Sequence, residues 1–268
     1  MVIRLEYEMQ FEVPNQISML TMLYVHPSRV ADLLQPDVMQ VDSGETVEDY
    51  IDGFGNRVGR LVAKAGTLRL SGSTLIQDSG LPDPADWSAC EHPVEDLPHE
   101  VLQFLINSRY CEVDRLSAPA YELFGHIQPG WGRVQAICDW VHNKVTFSYL
   151  HARPTKTALD VYTERIGVCR DYQHLAITFC RALNIPARYA TGYLGDIGVP
   201  PRPPGDFSAW FEVYLGGRWW TFDARNNIPR IGRVLMAVGR DASDVSLTTS
   251  FGAANLTQFR VQTEEVME

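Results

Sequence analysis

The sequence predicts an α+β protein: a β-sandwich-like segment over residues 1–97, followed over 98–268 by helices and then an antiparallel sheet. Three observations carry this reading. Residues 3 to 13 alternate between apolar and polar side chains; the apolar period lengthens to that of helices from His99 onward; and Phe207 to Arg225 reads as two aromatic strands joined at Gly216-Gly217. Helices that precede an antiparallel sheet within one segment are the mark of the α+β class.

In order along the chain, Ile3, Leu5, Tyr7, Met9, Phe11 and Val13 share one strand face while Arg4, Glu6, Glu8, Gln10 and Glu12 share the other, the pattern of a half-buried strand. Shorter extended stretches are expected at 20–25, 38–41, 56–65 and 67–77, separated by turn signals such as Asp52-Gly53 and Ser71-Gly72-Ser73. Together these form a small sandwich. Two proline-containing polar passages, near 80–87 and 91–98, place the domain boundary at about 95–100. Helices are expected at 99–109, 118–126 and 131–144, the last with Val134, Ile137, Cys138 and Val141 on one stripe. A shorter helix over 157–165 leads to a long one over 169–183. After Asn184-Ile-Pro the chain is extended over 187–194, and the glycine- and proline-rich stretch 195–205 is a loop.

Composition limits the function classes. The formal charge is −10 without a basic cluster, which opposes binding to nucleic acid or anionic lipid. No apolar run approaches the roughly 18 residues of a membrane span. The opening Met1-Val-Ile-Arg-Leu-Glu-Tyr-Glu lacks the basic-then-apolar layout of a secretory signal, so a cytoplasmic location is expected. The cysteines at 90, 111, 138, 169 and 180 form no C-x-x-C pair, against both a disulfide framework and a zinc knuckle. No metal-ligand cluster, phosphate-cradling loop or flavin signature appears, and no cofactor is expected.

One cysteine stands apart. Tyr172, Leu175, Ala176, Phe179 and Leu183 make the apolar stripe of the long helix, and Cys169 falls on that face in the first turn. Unsatisfied N–H groups and the positive dipole end favour a thiolate there, Arg170 adds a cation, and the same N–H groups suit an oxyanion. Cys180, in mid-helix, reads as core. In the hairpin, a two-residue Gly-Gly turn pairs Leu215 with Arg218, Val213 with Trp220 and Phe211 with Phe222. Ala209, Phe211, Val213, Leu215, Trp220 and Phe222 then form the core face. Ser208 and Asp223 become same-face diagonal neighbours, roughly 7–8 Å apart at the backbone. A histidine at 208 would bridge them; a serine is too short. Trp210, beside Asp223, is a candidate cleft wall, and 195–205 a candidate lip. His174 points about 140° away from Cys169 around the helix. His142 lies in a helix and His151 in a connecting segment.

The ordered stretches Gly167-Val-Cys-Arg-Asp-Tyr-Gln-His-Leu-Ala, Leu183-Asn-Ile-Pro-Ala-Arg-Tyr and Ala209-Trp-Phe-Glu-Val-Tyr through Thr221-Phe-Asp223 resemble the transglutaminase-like superfamily of papain-type thiol enzymes. The resemblance is close over about 130–230, and the β-rich beginning resembles the domain that bacterial members place before this core. It implies a catalytic triad at Cys169, position 208 and Asp223, with Ser208 in the histidine's place. Related bacterial sequences also carry a histidine shortly after that aspartate, where this chain has Asn226. The implied chemistry is attack of the Cys169 thiolate on a protein or peptide amide, giving a thioester resolved by water or an amine. The alternative is a catalytically impaired cleft that binds a peptide or protein partner.

Overall fold

In the computed structural model, which describes residues 1–201 and 205–266, the alternating start is strand β1 (Val2–Val13), followed by β2 (Ile17–Thr21), β3 (Gln40–Val41), β4 (Glu48–Ile51), β5 (Arg57–Ala63) and β6 (Gly66–Gln77). The helical part holds α1 (Val113–Phe124), α2 (Trp131–Lys144), β7 (Thr146–Phe147), α3 (Ala158–Glu164), β8 (Ile166–Gly167) and α4 (Cys169–Ala182). Strands β9 (Ala187–Leu194), β10 (Phe207–Leu215), β11 (Arg218–Phe222), β12 (Arg233–Gly239), β13 (Thr248–Ser250) and β14 (Asn255–Val266) complete the chain.

Two four-stranded sheets, β14-β1-β6-β3 and β13-β2-β5-β4, share one apolar interior built from Ile3, Leu5, Met19, Leu61 and Leu70, which makes them a sandwich. The last two strands of the chain close these sheets: β14 pairs antiparallel with β1 along its length, and β13 pairs with β2. A division of the chain into 1–97 and 98–268 makes no provision for that return. A third sheet, β11-β10-β9-β12, packs one face on α4. Ala209, Phe211, Val213, Leu215, Trp220 and Phe222 are all buried in this second core, and the ladder pairs Leu215 with Arg218 through to Phe211 with Phe222. Gly216 and Gly217 take φ of 57° and 85°, the left-handed values that a two-residue hairpin turn requires.

Two helices differ from expectation. Residues 99–104 form a short 3-10 segment rather than a helix to 109. Helix α1 begins at Val113 and runs through Pro119, although proline removes one helical hydrogen bond. Leu116, Ala120 and Phe124 form a buried i, i+4, i+8 stripe against α4, and that packing outweighs the lost bond. Among the described residues no helix is long and apolar enough to cross a membrane, and no group of His, Cys, Asp and Glu side chains is arranged to hold a metal ion.

The two cores meet at Phe207. Its ring belongs to the sandwich interior, with ring centroids 6.3 Å from Tyr7, 5.0 Å from Tyr193 and 5.9 Å from Phe259, while Ala209, Phe211, Val213 and Leu215 of β10 serve the helical core. Phe207→Ala is expected to lower the unfolding free energy in urea by roughly 3–5 kcal/mol. A loss under about 1 kcal/mol would mean that this ring does not join the cores.

Candidate active site

Cys169 is the first residue of α4, directly after β8. The turn that sets it there is fixed by Asp171, whose Oδ2 accepts the Val168 N–H at 2.9 Å. The buried Asp171 also takes Nε and Nη2 of Arg170, each at 3.2 Å on Oδ1. Arg170 donates further to the Arg153 carbonyl at 2.7 Å, so its charge is spent on Asp171 and the backbone rather than on the thiol.

Cys169 and Ser208 line one cavity of about 1140 Å³, with Tyr149, Asp206, Arg225 and Asn226 among its walls. The expected thiolate is not favoured. Burial pushes the half-buried Cys169 thiol up to about 11; Arg225 and the Arg170 N–H oppose this, while the negative charges of Asp206 and Asp223 add to it. The helix start therefore supplies too little to offset desolvation and two nearby carboxylates.

Ser208 is 6% exposed, and its Oγ has no hydrogen-bond partner among the described residues. Asp223, just past β11, is the opposite case. Its Oδ1 accepts Gln173 Nε2 at 3.1 Å and the N–H groups of Arg225 and Asn226 at 3.0 Å each. Its Oδ2 accepts Asn226 Nδ2 at 2.7 Å and Arg233 Nη2 at 2.9 Å. Burial alone would raise this carboxyl, but the Arg233 charge and the Asn226 donors outweigh it and hold Asp223 below the usual carboxylate range. Asp223 sits behind Arg225 and Asn226 rather than on the cavity surface.

Several contributors escaped the sequence reading, Gln173 and Arg233 among them. Gln173, buried one helical turn after Cys169, ties α4 to the sheet: Nε2 donates to the Ala209 carbonyl at 3.1 Å, and Oε1 accepts the Ala224 N–H at 3.2 Å. Its spacing of four residues from the cysteine, on the same face, was the available signal. Arg233 stands on β12, at the far edge of the sheet from Asp223. To reach that carboxylate its side chain crosses the face that carries Gly192, Ser208 and Trp210, with its guanidinium carbon 5.2 Å from the Trp210 ring centre. No local pattern marks it. His142 lines the cavity, with Nδ1 2.9 Å from the Arg225 carbonyl.

Trp210 is a correction. It is 2% exposed, packed with Ala190 and Val238, and does not line the cavity; it lies beneath Arg233. Of the loop expected as a lip, Gly195, Asp196, Ile197, Gly198, Pro201 and Gly205 do line the cavity, and 202–204 lie outside the described residues. His174 is fully buried, accepts the Ala242 N–H on Nε2 at 3.1 Å, and is held neutral by burial, which lowers it to about 3. His151 shares a hydrogen bond of 2.9 Å with Ser148 Oγ.

The Arg233–Asp223 pair gives a pH-dependent prediction. Arg233→Met leaves a buried carboxylate without its cation and is expected to cost roughly 3–5 kcal/mol at neutral pH. In the parent, Asp223 titrates below its unfolded value, so its contribution is present above that value and fades as pH falls through the folded pKa. In the variant, desolvation raises the carboxyl instead, so the deficit should shrink as pH drops and the group protonates. Urea unfolding at several pH values checks this, and a pH-independent deficit would overturn the assignment.

Sequence and structure comparisons agree on kinship. The profile of the transglutaminase-like superfamily matches residues 120–224. An uncharacterised protein of Mycobacterium leprae (strain TN) is 32% identical over 208 residues, spanning 74% of this chain and 73% of its own. A crystal structure of a provisionally named cysteine protease from Cytophaga hutchinsonii superposes with a TM-score of 0.87 at 32% identity, covering 100% of this chain and 91% of the other. With a cysteine-led helix packed on an antiparallel sheet, a cleft at that helix start and these relatives, the chain belongs to the transglutaminase-like superfamily.

Proposed function

We propose that this chain is a thiol enzyme acting on amide bonds of proteins or peptides, a cysteine peptidase, amidase or acyltransferase, with Cys169 as nucleophile. The observation that carries this reading is the position of Cys169 at the start of α4, on the wall of a cavity it shares with Ser208 and Asn226, with Asp223 behind them. Sulfur would add to the amide carbonyl, the amine would leave, and water or a second amine would resolve the thioester. Turnover is expected to be slow. A thiol held near 11 is almost wholly protonated at neutral pH, and a leaving amine without its usual imidazole acid loses about 10²–10⁴ in rate.

A second reading, a peptide-binding cleft without turnover, is favoured by the Arg233–Asp223 ion pair, because the acid that would orient an imidazole is already neutralised by a permanent cation.

Two substitutions separate the readings. Asn226 lines the cavity and donates to Asp223 Oδ2 at 2.7 Å, so an imidazole at 226 would be held by the same carboxylate and face the same space as the thiol. Asn226→His is expected to raise iodoacetamide alkylation of Cys169 at neutral pH, and amine or ammonia release from a glutamine-rich protein, by about 10-fold or more. Ser208→His should gain far less, since its ring would enter the face crossed by Arg233. Cys169→Ala supplies the blank. Release no greater than that blank in the parent and in both histidine variants, alongside retained peptide binding, would replace the enzyme reading with the second one.

A further inference from the structure

Thiol chemistry in this cleft needs a group that takes the Sγ–H proton and later gives one to nitrogen. The side-chain charges that bear on the thiol are those of Arg225, Asp206 and Asp223. The Arg225 guanidinium offers only donors and no acceptor, and Asp223 already accepts five hydrogen bonds behind the cavity wall. Asp206 differs. It immediately precedes β10, two residues and so about 6–7 Å along the chain from Ser208, and it lines the same cavity as Cys169. Tyr149 and Arg225 feel its charge from neighbouring elements. His142 on α2, Arg230 and Asp196 beyond the sheet, and Glu264 and Glu265 on β14 also face this space.

The geometry points to Asp206 as the proton carrier of the Cys169 reaction, an assignment that rests on the thiol-enzyme reading above. As the sulfur lone pair forms the S–C bond, the Sγ–H proton passes to the Asp206 carboxylate and the carbonyl π pair moves onto oxygen. The oxyanion then re-forms the carbonyl, the C–N bond breaks with its electron pair on nitrogen, and the Asp206 carboxyl returns its proton to that nitrogen. A neutral amine leaves, and a thioester and an ionised Asp206 remain. In the second half Asp206 takes a proton from the attacking water and returns one to the departing sulfur. Burial raises the Asp206 carboxyl above the ordinary range, with the Phe207 N–H and Arg225 opposing, which brings it nearer to the working range of an acid–base group.

Amine release and iodoacetamide alkylation of Cys169 are measured in parallel for the parent, Asp206→Asn, Asp206→Glu and His142→Gln. Asp206→Asn is expected to cut Cys169-dependent release about 100-fold. The same change removes a negative charge that raises the thiol, so alkylation at neutral pH should become faster by a few fold. Asp206→Glu should recover part of the release. In the parent, kcat/KM requires the ionised carboxylate, so it should fall as pH drops through the raised Asp206 pKa, and Asp206→Asn should lose that limb. A structural role would instead slow both readouts together, which would overturn the assignment. So would unchanged release in Asp206→Asn, or a loss confined to His142→Gln. A parent without Cys169-dependent release overturns the thiol-enzyme reading and this assignment with it; an active parent matched by Asp206→Asn overturns this assignment alone.

Discussion

The Asp223 carboxylate is the constraint on which the cleft depends. Taking an ionised carboxylate out of water costs several kcal/mol unless its lone pairs are filled and its charge is matched. Here five donors converge on it: the Gln173 amide from α4, the backbone and side chain of Asn226, the Arg225 N–H, and the Arg233 guanidinium from β12. These elements meet around one charge, so the helix that carries Cys169, the turn after β11 and the far edge of the sheet are held in one mutual geometry. The ties continue outward. Asp83, in the proline-rich linker, accepts Arg233 Nε at 2.8 Å and the Arg230 N–H at 2.9 Å, anchoring the linker to the same network.

That arrangement has an electrostatic cost at the sulfur. A histidine in the slot at 208 would be a titratable cation close to the thiol; Arg233 is a permanent one directed at Asp223. Arg233 is paired with Asp223 at 2.9 Å rather than with the thiol, and the charges that act on Cys169 are those of Arg225, Asp206 and Asp223. Desolvation therefore dominates, and the helix dipole, worth typically a few tenths to one kcal/mol, does not reverse it.

What the sequence disclosed and what it withheld divide along the same line. The hairpin register was legible because a two-residue glycine turn fixes the pairing and alternation fixes the faces. The position of Cys169 was legible because the apolar stripe of α4 begins with it. Trp210 was misread because strand alternation assigns a face but not what covers it; both faces of the third sheet are buried near Trp210, so its face meets Arg233 and Val238 rather than solvent. Arg233 could not be read at all, since its approach to Asp223 exists only once β12 pairs with β9, a contact decided by tertiary structure. The thiol pKa failed for a related reason: a helix start is a local feature, whereas the burial and carboxylates that raise it come from other elements.

The return of the chain end to its beginning bears directly on the cleft. Strand β14 completes the sandwich by pairing with β1, and in doing so presents Val261 through Glu265 as one wall of the cavity that holds Cys169. The flanking loop comes very close to that strand: a Cβ at Gly195 would lie 2.5 Å from the Thr263 carbonyl oxygen, and one at Gly205 would clash with that of Val261. Glycine is needed at these two points for backbone approach, which gives the glycine-rich loop a reason beyond chain reversal. The sandwich is thus more than a preceding module. Phe207 of β10 is seated in its core immediately before Ser208, and β14 walls the cleft opposite the helices, so both strand-borne sides of the cavity inherit their positions from the sandwich.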